Sequence, residues 1–357
     1  MKKYAFFLPQ FYEIEENNKW WGKGFTEWTN VKNARSLYPG HLQPKHPLNN
    51  SYYNLLNKDT VVWQTNLMNE YHIDGLIYYH YYFSGKLLME KPAENLLNWK
   101  DIPQNFFFCW ANHSFTRGNG SGEMLLEQRY GDKSEWEKHF CYLLPFFQDV
   151  RYLKDENKPV FMLFKSDFPE RKSMFEYFDR RCREEGFSGL CLIESYHGED
   201  WPEGFSKFKD QRSSCTDYIF LREPAFSNFV YKFSVHNKLK GKITEIHFKL
   251  SRHGFLKKPV VYNGDDILKA EMDTEPTGID VIHGLSFCWD NTPRYDKRGY
   301  VIDPISHELY NEYMTRRKND KYLFINAWNE WSEGMVLEPT KEDGYKYLQW
   351  IKDSDNT

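Results

Sequence analysis

Two glutamates with a short spacing lie in a segment rich in tryptophan and asparagine. Residues 326–334 read NAWNEWSEG and follow the apolar run 322–325, so Glu330 and Glu333 are three positions apart. Side chains at i and i+3 of a helical turn lie ~5–6 Å apart, and carboxyl groups ~5–5.5 Å apart suit a retaining glycosidase. Tryptophan rings and amide groups suit an amphipathic sugar ligand. The pattern therefore favours a catalytic pair over glutamates that only stabilise a helix start.

The elements that must position this pair are short apolar runs separated by helix-like intervals. Each run is continuous rather than alternating, which is typical of parallel strands buried on both faces. Helices are predicted at 59–71, 133–148 and 170–185, among others. Eight strands alternating with helices predict an α/β chain with a single (β/α)8 barrel and long βα loops, with a doubly wound sheet as the alternative. The predicted strands are 4–8, 75–79, 106–110, 160–164, 189–193, 218–221, 284–288 and 323–327.

Polar or aromatic residues follow almost every predicted strand, where the active sites of such barrels are assembled. His80 lies within the aromatic run 78–82, and either it hydrogen-bonds a sugar hydroxyl or it is a paired core histidine. The loop 20–28, dense in tryptophan and glycine, is predicted to fold over the mouth of the pocket and present Glu27 and Trp28. No nucleotide-binding glycine pattern is present in it.

The segment 225–259 carries eight lysines and arginines against one glutamate. We interpret it as an inserted basic segment of extra helices with a solvated face. The alternative is a peripheral contact with an anionic partner, such as a lipid-linked glycan. No linker or internal repeat is evident, so residues 1–357 are treated as a single catalytic domain.

Bulk features exclude several classes of partner. A net charge of −4 gives no general attraction to nucleic acid. No run reaches the ~18 apolar residues of a membrane span, and no histidine or cysteine spacing predicts a metal, so neither metal nor organic cofactor is expected. The six scattered cysteines predict reduced structural thiols. The apolar stretch at the start is too short for a signal peptide, so a cytoplasmic location is expected.

Seven motifs are spread over nearly the whole chain: 7–11 (FLPQF), 21–31 (WGKGFTEWTNV), 79–83 (YHYYF), 109–112 (CWAN), 158–161 (KPVF), 289–294 (WDNTPR) and 326–334. Together and in this order they resemble the WbsX-type family, which is often labelled a glycosyltransferase of surface-polysaccharide gene clusters. The chain is also similar to glycoside hydrolase family 99, the endo-α-mannosidase family, whose members are (β/α)8 barrels.

The resemblance to family 99 implies roles for the two glutamates. Glu330 would draw the proton from the sugar 2-hydroxyl, which attacks the anomeric carbon to give a 1,2-anhydro intermediate. Glu333 would act as general acid and then as general base, with net retention. The earlier loops follow the WbsX pattern, so mannose specificity is not implied. Strand-end positions and family motifs give the candidate substrate-binding residues Gln10, Glu27, Trp28, Tyr79, His80, Tyr81, Trp110, Asn112, Glu194, Trp289, Asp290, Arg294, Asn326, Asn329 and Trp331.

Three functions remain open at the level of the sequence. The paired glutamates without a nucleotide-binding loop favour a retaining glycoside hydrolase that acts on an oligo- or polysaccharide. Lack of a signal peptide favours a glycosyltransferase of O-antigen or capsule biosynthesis. A carbohydrate-binding protein with inert acids is the non-enzymatic alternative.

Overall fold

The computed structural model describes residues 1–117, 122–212, 215–233, 238–253, 255–256, 258–274, 276, 278 and 280–356. Eight parallel strands form a closed barrel, in which each strand pairs with the next and the last pairs with the first. All eight predicted strands are present, which confirms the (β/α)8 barrel over the doubly wound sheet. The barrel strands are β1 (Lys2–Phe7), β2 (Gly75–Phe83), β3 (Phe106–Trp110), β4 (Lys158–Leu163), β5 (Cys191–Tyr196), β6 (Thr216–Leu221), β7 (Val281–Ser286) and β8 (Tyr322–Asn326).

Aromatic side chains fill the inside of the barrel. The ring centroid of Phe324 on β8 lies 5.5 Å from that of Phe107 on β3 and 5.3 Å from that of Phe220 on β6. Phe6 on β1 lies 5.5 Å from Phe220 in the same way. These pairs join strands that are not neighbours in the barrel, so the rings meet across its interior. The barrel is therefore a packed core, and a ligand can bind only at its rim.

Helices surround the barrel and include the three predicted from the sequence. The helix at Lys133–Gln148 has its predicted bounds, and its first turn is capped by Asp132, which accepts hydrogen bonds from two backbone amides. The described helices are α1 (Glu15–Trp21), α2 (Glu27–Asn33), α3 (Lys58–Glu70), α4 (Lys91–Asn98), α5 (Lys133–Gln148), α6 (Arg171–Glu184), α7 (Glu203–Gln211), α8 (Ala225–Phe233), α9 (Lys238–Arg252), α10 (Gly264–Thr274), α11 (Thr292–Tyr295), α12 (His307–Arg316) and α13 (Lys346–Asp353).

A small sheet outside the barrel shapes the loop after β7. Its central strand, Tyr300–Ile302, pairs in parallel with Val260–Tyr262 and antiparallel with Trp289–Asp290. The loop is thereby held in a fixed path before the short helix α11. The other short strands are Lys86–Leu88, Phe115–Thr116, Met124–Leu126, Lys154–Asp155, Asn329–Glu330 and Met335–Val336.

The inserted basic segment is helical, as predicted. It forms α8 and α9 between β6 and the barrel helix α10. Lys242, Lys249 and Lys258 are exposed, as a solvated face requires, whereas Lys232 is partly buried. In the part of the chain that is described, no helix is long and apolar enough to cross a membrane. None of the six cysteines, all of which lie among the described residues, forms a disulfide, and four of them are buried.

Candidate active site

The two glutamates lie just beyond the end of β8, at the C-terminal rim of the barrel. The chain makes a short hairpin there, with one 3-10 turn at Trp331–Glu333. Side chains at i and i+3 of such a turn are eclipsed, so Glu330 and Glu333 project in the same direction. Gly334 closes the turn with a left-handed φ of 69°, which favours glycine. The predicted helical turn is thus a single 3-10 turn, and no α-helix begins here.

One arginine joins both glutamates to a third carboxylate. Arg294 at the end of α11 donates from Nη1 to Glu333 Oε1 at 2.7 Å and from Nη2 to Glu27 Oε1 at 2.6 Å. Its Nη2 also lies 3.6 Å from Glu330 Oε2. Its Nε donates to Ser332 Oγ at 2.7 Å. We call this group of Arg294 with Glu27, Glu330 and Glu333 the Arg294 clamp; it holds one positive charge against three acidic side chains.

Burial makes the two glutamates hold a proton more tightly than an exposed glutamate. Burial, reinforced by the nearby charge of Glu333 and opposed by Arg294, raises the pKa of Glu330 to about 8. Burial also raises the pKa of Glu333. Two carboxylates this close resist ionising together, so the pair retains a proton near neutral pH. A retained proton is what a general acid needs.

Two tyrosines of β2 and one arginine lie beside the pair. Burial raises the pKa values of Tyr79 and Tyr81, and the charge of Glu330 adds to both shifts, which places both side chains near this carboxylate. Arg222, which follows β6, donates from Nη2 to the hydroxyl of Tyr79 at 2.5 Å. The charge of Arg222 lowers the pKa of Glu330 against the effect of burial. The predicted residues Tyr79 and Tyr81 therefore lie at the site.

A cavity of about 330 Å³ opens onto the Arg294 clamp. Glu27 and Arg294 form part of its wall, and Gln10, as predicted, lines it as well. The other lining residues are Trp21, Phe25, Asn30, Thr116, Tyr295 and Arg298. Aromatic faces combined with amide and hydroxyl groups suit an amphipathic ligand such as a sugar.

Two further predicted residues carry buried polar atoms that are free to meet a ligand. Among the described residues, Oδ1 of Asn326 and Nε1 of Trp289 have no hydrogen-bond partner, and neither does Oε2 of Glu330. Such atoms are rare in folded proteins because leaving them unpaired costs ~1–3 kcal/mol each. Asn326 ends β8 and Trp289 lies in the loop after β7, so both belong to the rim that carries the glutamates.

Asn329 and Asp290 support the site. Asn329 accepts a hydrogen bond from the backbone N–H of Leu8 at 2.8 Å and donates to the carbonyl of Leu8 at 3.0 Å. Asp290 accepts from the backbone and hydroxyl of Thr292 and lies 2.9 Å from His41 Nε2. The first side chain fixes the glutamate hairpin to the end of β1, and the second fixes the turn that carries the clamp arginine.

The loop over the mouth differs from the prediction. Glu27 and Trp28 are the first residues of α2 and are buried, because α2 packs against the glutamate turn. The ring of Trp28 lies 5.4 Å from that of Trp331, which is also buried. Trp28 and Trp331 therefore pack against each other in the core beside the glutamate turn, and Trp21 and Phe25 are the aromatic residues of this loop that line the cavity.

His80 and Trp110 face the helices and not the pocket. Successive side chains on a strand point to opposite sides, so His80 points away from Tyr79 and Tyr81. Its Nε2 lies 2.8 Å from Nε2 of His139 on α5, and burial lowers the pKa of His80 to about 3. The ring of Trp110 packs 4.9 Å from that of His139. Their prediction as substrate-binding residues is corrected: both are core residues.

Glu194 and Asn112 are occupied by structural contacts. Glu194 is fully buried and accepts hydrogen bonds from Arg171 at 2.9 Å and from Thr216 at 2.6 Å. Asn112 accepts from the backbone N–H of Lys165 at 2.8 Å and donates to its carbonyl at 2.7 Å. These contacts hold neighbouring loops and helices together, so the structure shows a positioning role for both side chains.

Arg222 is the residue of the site that sequence reasoning does not identify. The sequence indicates only that a polar residue follows the sixth strand, which holds for most strand ends. Its proximity to Glu330 depends on strands that are distant along the chain. Among the described residues, no group of three or more histidine, cysteine, aspartate or glutamate side chains has the geometry of a metal site.

Comparison with known proteins shows the family to which this chain belongs. Residues 3–351 match the family described as glycosyltransferase WbsX. Two curated relatives, both described as uncharacterized protein WxcX, come from strains B100 and ATCC 33913 of Xanthomonas campestris pv. campestris. Each is 28% identical over 96% of this chain and 48% of its own length. The chain thus spans about half the length of these relatives.

Solved structures share the barrel at low sequence identity. A GH99 endo-alpha-mannosidase from Bacteroides thetaiotaomicron superposes with a TM-score of 0.56 at 12% identity, over 99% of this chain and 96% of that chain. A protein described as glycoside hydrolase-like gives a TM-score of 0.57 at 10% identity, over 99% of this chain and 93% of that chain. At such identities the likeness concerns the fold alone.

Proposed function

This chain belongs to the glycosyltransferase WbsX family, and from that premise we propose that it cleaves a glycosidic bond in a polysaccharide with net retention. The family and the barrel fold support a carbohydrate-active enzyme. The observation that carries the choice of hydrolysis is the pair of glutamates, Glu330 buried and Glu333 partly buried, that Arg294 joins at the rim of the barrel. Hydrolysis of this kind requires two acidic groups and neither metal nor organic cofactor.

In the proposed reaction each glutamate moves one proton. Glu330 takes the proton of the sugar 2-hydroxyl while that oxygen attacks the anomeric carbon, and Glu333 protonates the leaving oxygen. The product of this step is a 1,2-anhydro sugar and the released chain. Glu333 then takes a proton from water, which attacks the anomeric carbon, and Glu330 returns its proton to the 2-oxygen. Two inversions at the anomeric carbon give net retention.

Arg294 determines where the shared proton lies before the substrate binds. Its 2.7 Å contact with Glu333 favours the ionised form of that side chain. Oε2 of Glu330 is buried without a hydrogen-bond partner among the described residues, which suits a protonated carboxyl. The proposed reaction therefore requires the proton to move to Glu333 on binding, when the 2-hydroxyl donates to Glu330 and stabilises its anion.

Product analysis tests this function. Mass spectrometry of products from a glycan panel, with and without nucleotide sugars, is run on the wild type and on Glu330→Gln. Cleavage without nucleotide sugars that is lost in the variant supports the hydrolase. Binding of glycans by both proteins with no product from either identifies a carbohydrate-binding protein. Products that form only with nucleotide sugars contradict hydrolysis.

A 2-fluoro glycosyl donor with a good leaving group separates two routes to retention. Participation of the 2-hydroxyl predicts very slow reaction and no labelled protein, because fluorine cannot act as the nucleophile. Direct attack by Glu330 predicts a covalent adduct that intact-protein mass spectrometry detects. An adduct mapped to Glu330 would end the participation route and leave the hydrolase assignment intact.

A glycosyltransferase acting on a lipid-linked glycan is the second candidate, and helix α9 favours it. Ile243, Ile246 and Leu250 lie on one side of this helix and are exposed by 47%, 57% and 38%. The exposed lysines Lys242 and Lys249 lie nearby on the same helix. Exposed apolar residues beside lysines are typical of helices that bind anionic membrane surfaces.

Vesicle sedimentation tests the membrane contact. Wild-type protein should sediment with vesicles containing phosphatidylglycerol, and Ile246→Glu should remain in the supernatant. Vesicles of phosphatidylcholine alone are the matched control. Equal sedimentation of the wild type and the variant would remove the observation that favours this candidate.

A further inference from the structure

Basic and imidazole groups surround Phe164, which lies at the C-terminal end of β4. Phe164 directly follows β4, and the guanidinium carbon of Arg222 lies 4.2 Å from the centroid of its ring. The ring centroids of His113 and His197 lie 5.0 Å and 5.1 Å from that of Phe164. We call these four residues the Phe164 cluster. Phe164 and His197 line a cleft of about 700 Å³ at the ends of β4 and β5, and Arg222 and His113 pack on the ring of Phe164.

Arg222 differs from the other buried arginines in its lack of an ion pair. Among the described residues, three arginines are buried: Arg151, Arg222 and Arg317. Arg151 lies 2.8 Å from a carboxylate oxygen of Asp149, and Arg317 lies 3.9 Å from one of Asp320. No described carboxylate lies within 4 Å of Arg222. A buried charge is costly unless it is paired, so Arg222 has the electrostatic requirement of an anion-binding residue.

Several polar atoms of the cluster and its cleft lack partners. Among the described residues, Nη1 of Arg222, Nδ1 of His113 and Nε2 of His197 are buried without a hydrogen bond. The hydroxyls of Ser166 and Ser195, which line the cleft, are also buried without a hydrogen bond. Five such atoms at one place exceed what packing alone leaves unpaired. A ligand with several acceptor oxygens would satisfy the donors among them.

The acidic side chains that line the cleft are exposed to solvent. Asp167, Glu199 and Asp200 line its exposed part, where water screens them. Lys165 is exposed at the same rim. Glu199 Oε1 lies 3.6 Å from Nδ1 of His197, so a proton drawn onto that ring by an anion would make Nε2 a donor. Arg222, which packs on the ring of Phe164 at the wall of the cleft, has no carboxylate at ion-pair distance among the described residues.

We propose that the Phe164 cluster binds an anionic group of the sugar chain, so that the polysaccharide contains an acidic residue beside the bond that is cleaved. The anionic group is a carboxylate of a uronic acid or a sulfate or phosphate ester. This inference rests on the proposed function for the substrate class, but the binding site itself does not depend on catalysis. Arg222 links the two, because it contacts Tyr79 and acts on Glu330.

Binding of small probes tests the site. Glucuronate, glucose and inorganic sulfate are titrated into wild-type protein and Arg222→Met by calorimetry. The variant keeps an unbranched side chain and loses the charge together with the guanidinium contact to Phe164. Glucuronate should bind at least ~10-fold more tightly than glucose, and the difference should disappear in the variant, because a charged hydrogen bond contributes ~1.5–3 kcal/mol. Binding of sulfate without binding of glucuronate assigns the site to an ester.

Two further variants make the result decisive. Lys207→Gln removes an exposed charge from the same cleft and should leave the preference unchanged. His113→Gln should weaken glucuronate binding, and it replaces Arg222→Met if circular dichroism shows that the latter does not fold. Equal binding of glucuronate and glucose with no binding of sulfate, or a preference that survives loss of Arg222, overturns the proposal.

The glycan panel separates failure of this site from failure of the proposed function. Glu330-dependent cleavage of neutral polysaccharides together with equal binding of glucuronate and glucose overturns the anionic subsite alone. Arg222-dependent binding of glucuronate without any Glu330-dependent cleavage supports the subsite and contradicts the hydrolase.

Discussion

The Arg294 clamp and the Phe164 cluster lie at the same barrel mouth and carry opposite excesses of charge. In the clamp, three acidic side chains share one arginine. In the cluster, an arginine and two histidines meet no carboxylate of the described residues at ion-pair distance, apart from the 3.6 Å contact of His197 with Glu199. The excess of carboxyl groups in the clamp retains a proton, which proton transfer requires. The basic groups of the cluster lack a negatively charged partner, and a bound anion would supply one.

Removing either glutamate of the clamp should have the largest effect. Glu330→Gln and Glu333→Gln should each lower turnover ~10²–10⁴-fold, because general acid–base groups contribute by that amount. Turnover on a true substrate measures this, and circular dichroism verifies the fold. Glu342→Gln, which changes an exposed glutamate on the same segment, is the control and should retain full activity. Wild-type turnover in both site variants would contradict the assignment.

Removing the arginine of the clamp should mainly reduce stability. Arg294→Gln leaves Glu27, Glu330 and Glu333 buried together, and loss of one partner of a buried ion pair costs ~3–5 kcal/mol. Urea denaturation measures the change. Adding Glu27→Gln to this variant should recover part of the loss, whereas Arg298→Gln at the exposed rim of the cavity should change little. No recovery in the double variant would show that the clamp charges do not act as a unit.

The retained proton should make stability fall as pH rises. The pKa of Glu330 is about 8 in the folded protein and 4.5 ordinarily, so above pH 4.5 the folded state binds a proton that the unfolded state has lost. Stability therefore decreases until pH 8, by up to ~1.4 kcal/mol per pH unit for one proton. Glu330→Gln should reduce the slope of unfolding free energy between pH 7 and 8.

The slope should not vanish in that variant. Burial raises the pKa of Glu223 to about 8 as well, so this residue contributes the same trend. The pH range avoids the histidines, since burial lowers the pKa of His113 to about 4 and its effect ends near neutrality. An unchanged slope in Glu330→Gln would mean that the clamp holds no proton.

Of these changes, removal of metal ions by chelation should have the smallest effect on turnover. If the clamp alone supplies the proton transfers, exhaustive treatment with EDTA leaves turnover unchanged. Assays before and after treatment, with manganese or magnesium added back, measure this. Activity that is lost and then restored by either ion would favour the nucleotide-sugar transferase over the hydrolase.

The sequence predicts the barrel and the location of the glutamates, but not which side chains face the pocket. Continuous apolar runs identify strands, and all eight are found. In β2, however, tyrosines flank His80 on both sides. Residue type therefore does not indicate which of these side chains point to the pocket and which point to the helices. The sequence therefore does not predict that His80 points away from the pocket. The contacts of the Arg294 clamp cannot be predicted from the sequence, because Arg294 and Glu27 are 267 positions apart.

The two hydrogen bonds between Asn329 and Leu8 determine when during folding the site forms. They join residues 321 positions apart, so the glutamate hairpin takes its final place only after the first and last barrel strands have met. Contacts between such distant residues form late and slowly. A chain emerging from the ribosome therefore cannot act on its substrate until the barrel has closed. In refolding, catalytic activity should return later than helical circular dichroism, which makes it a direct report of complete assembly.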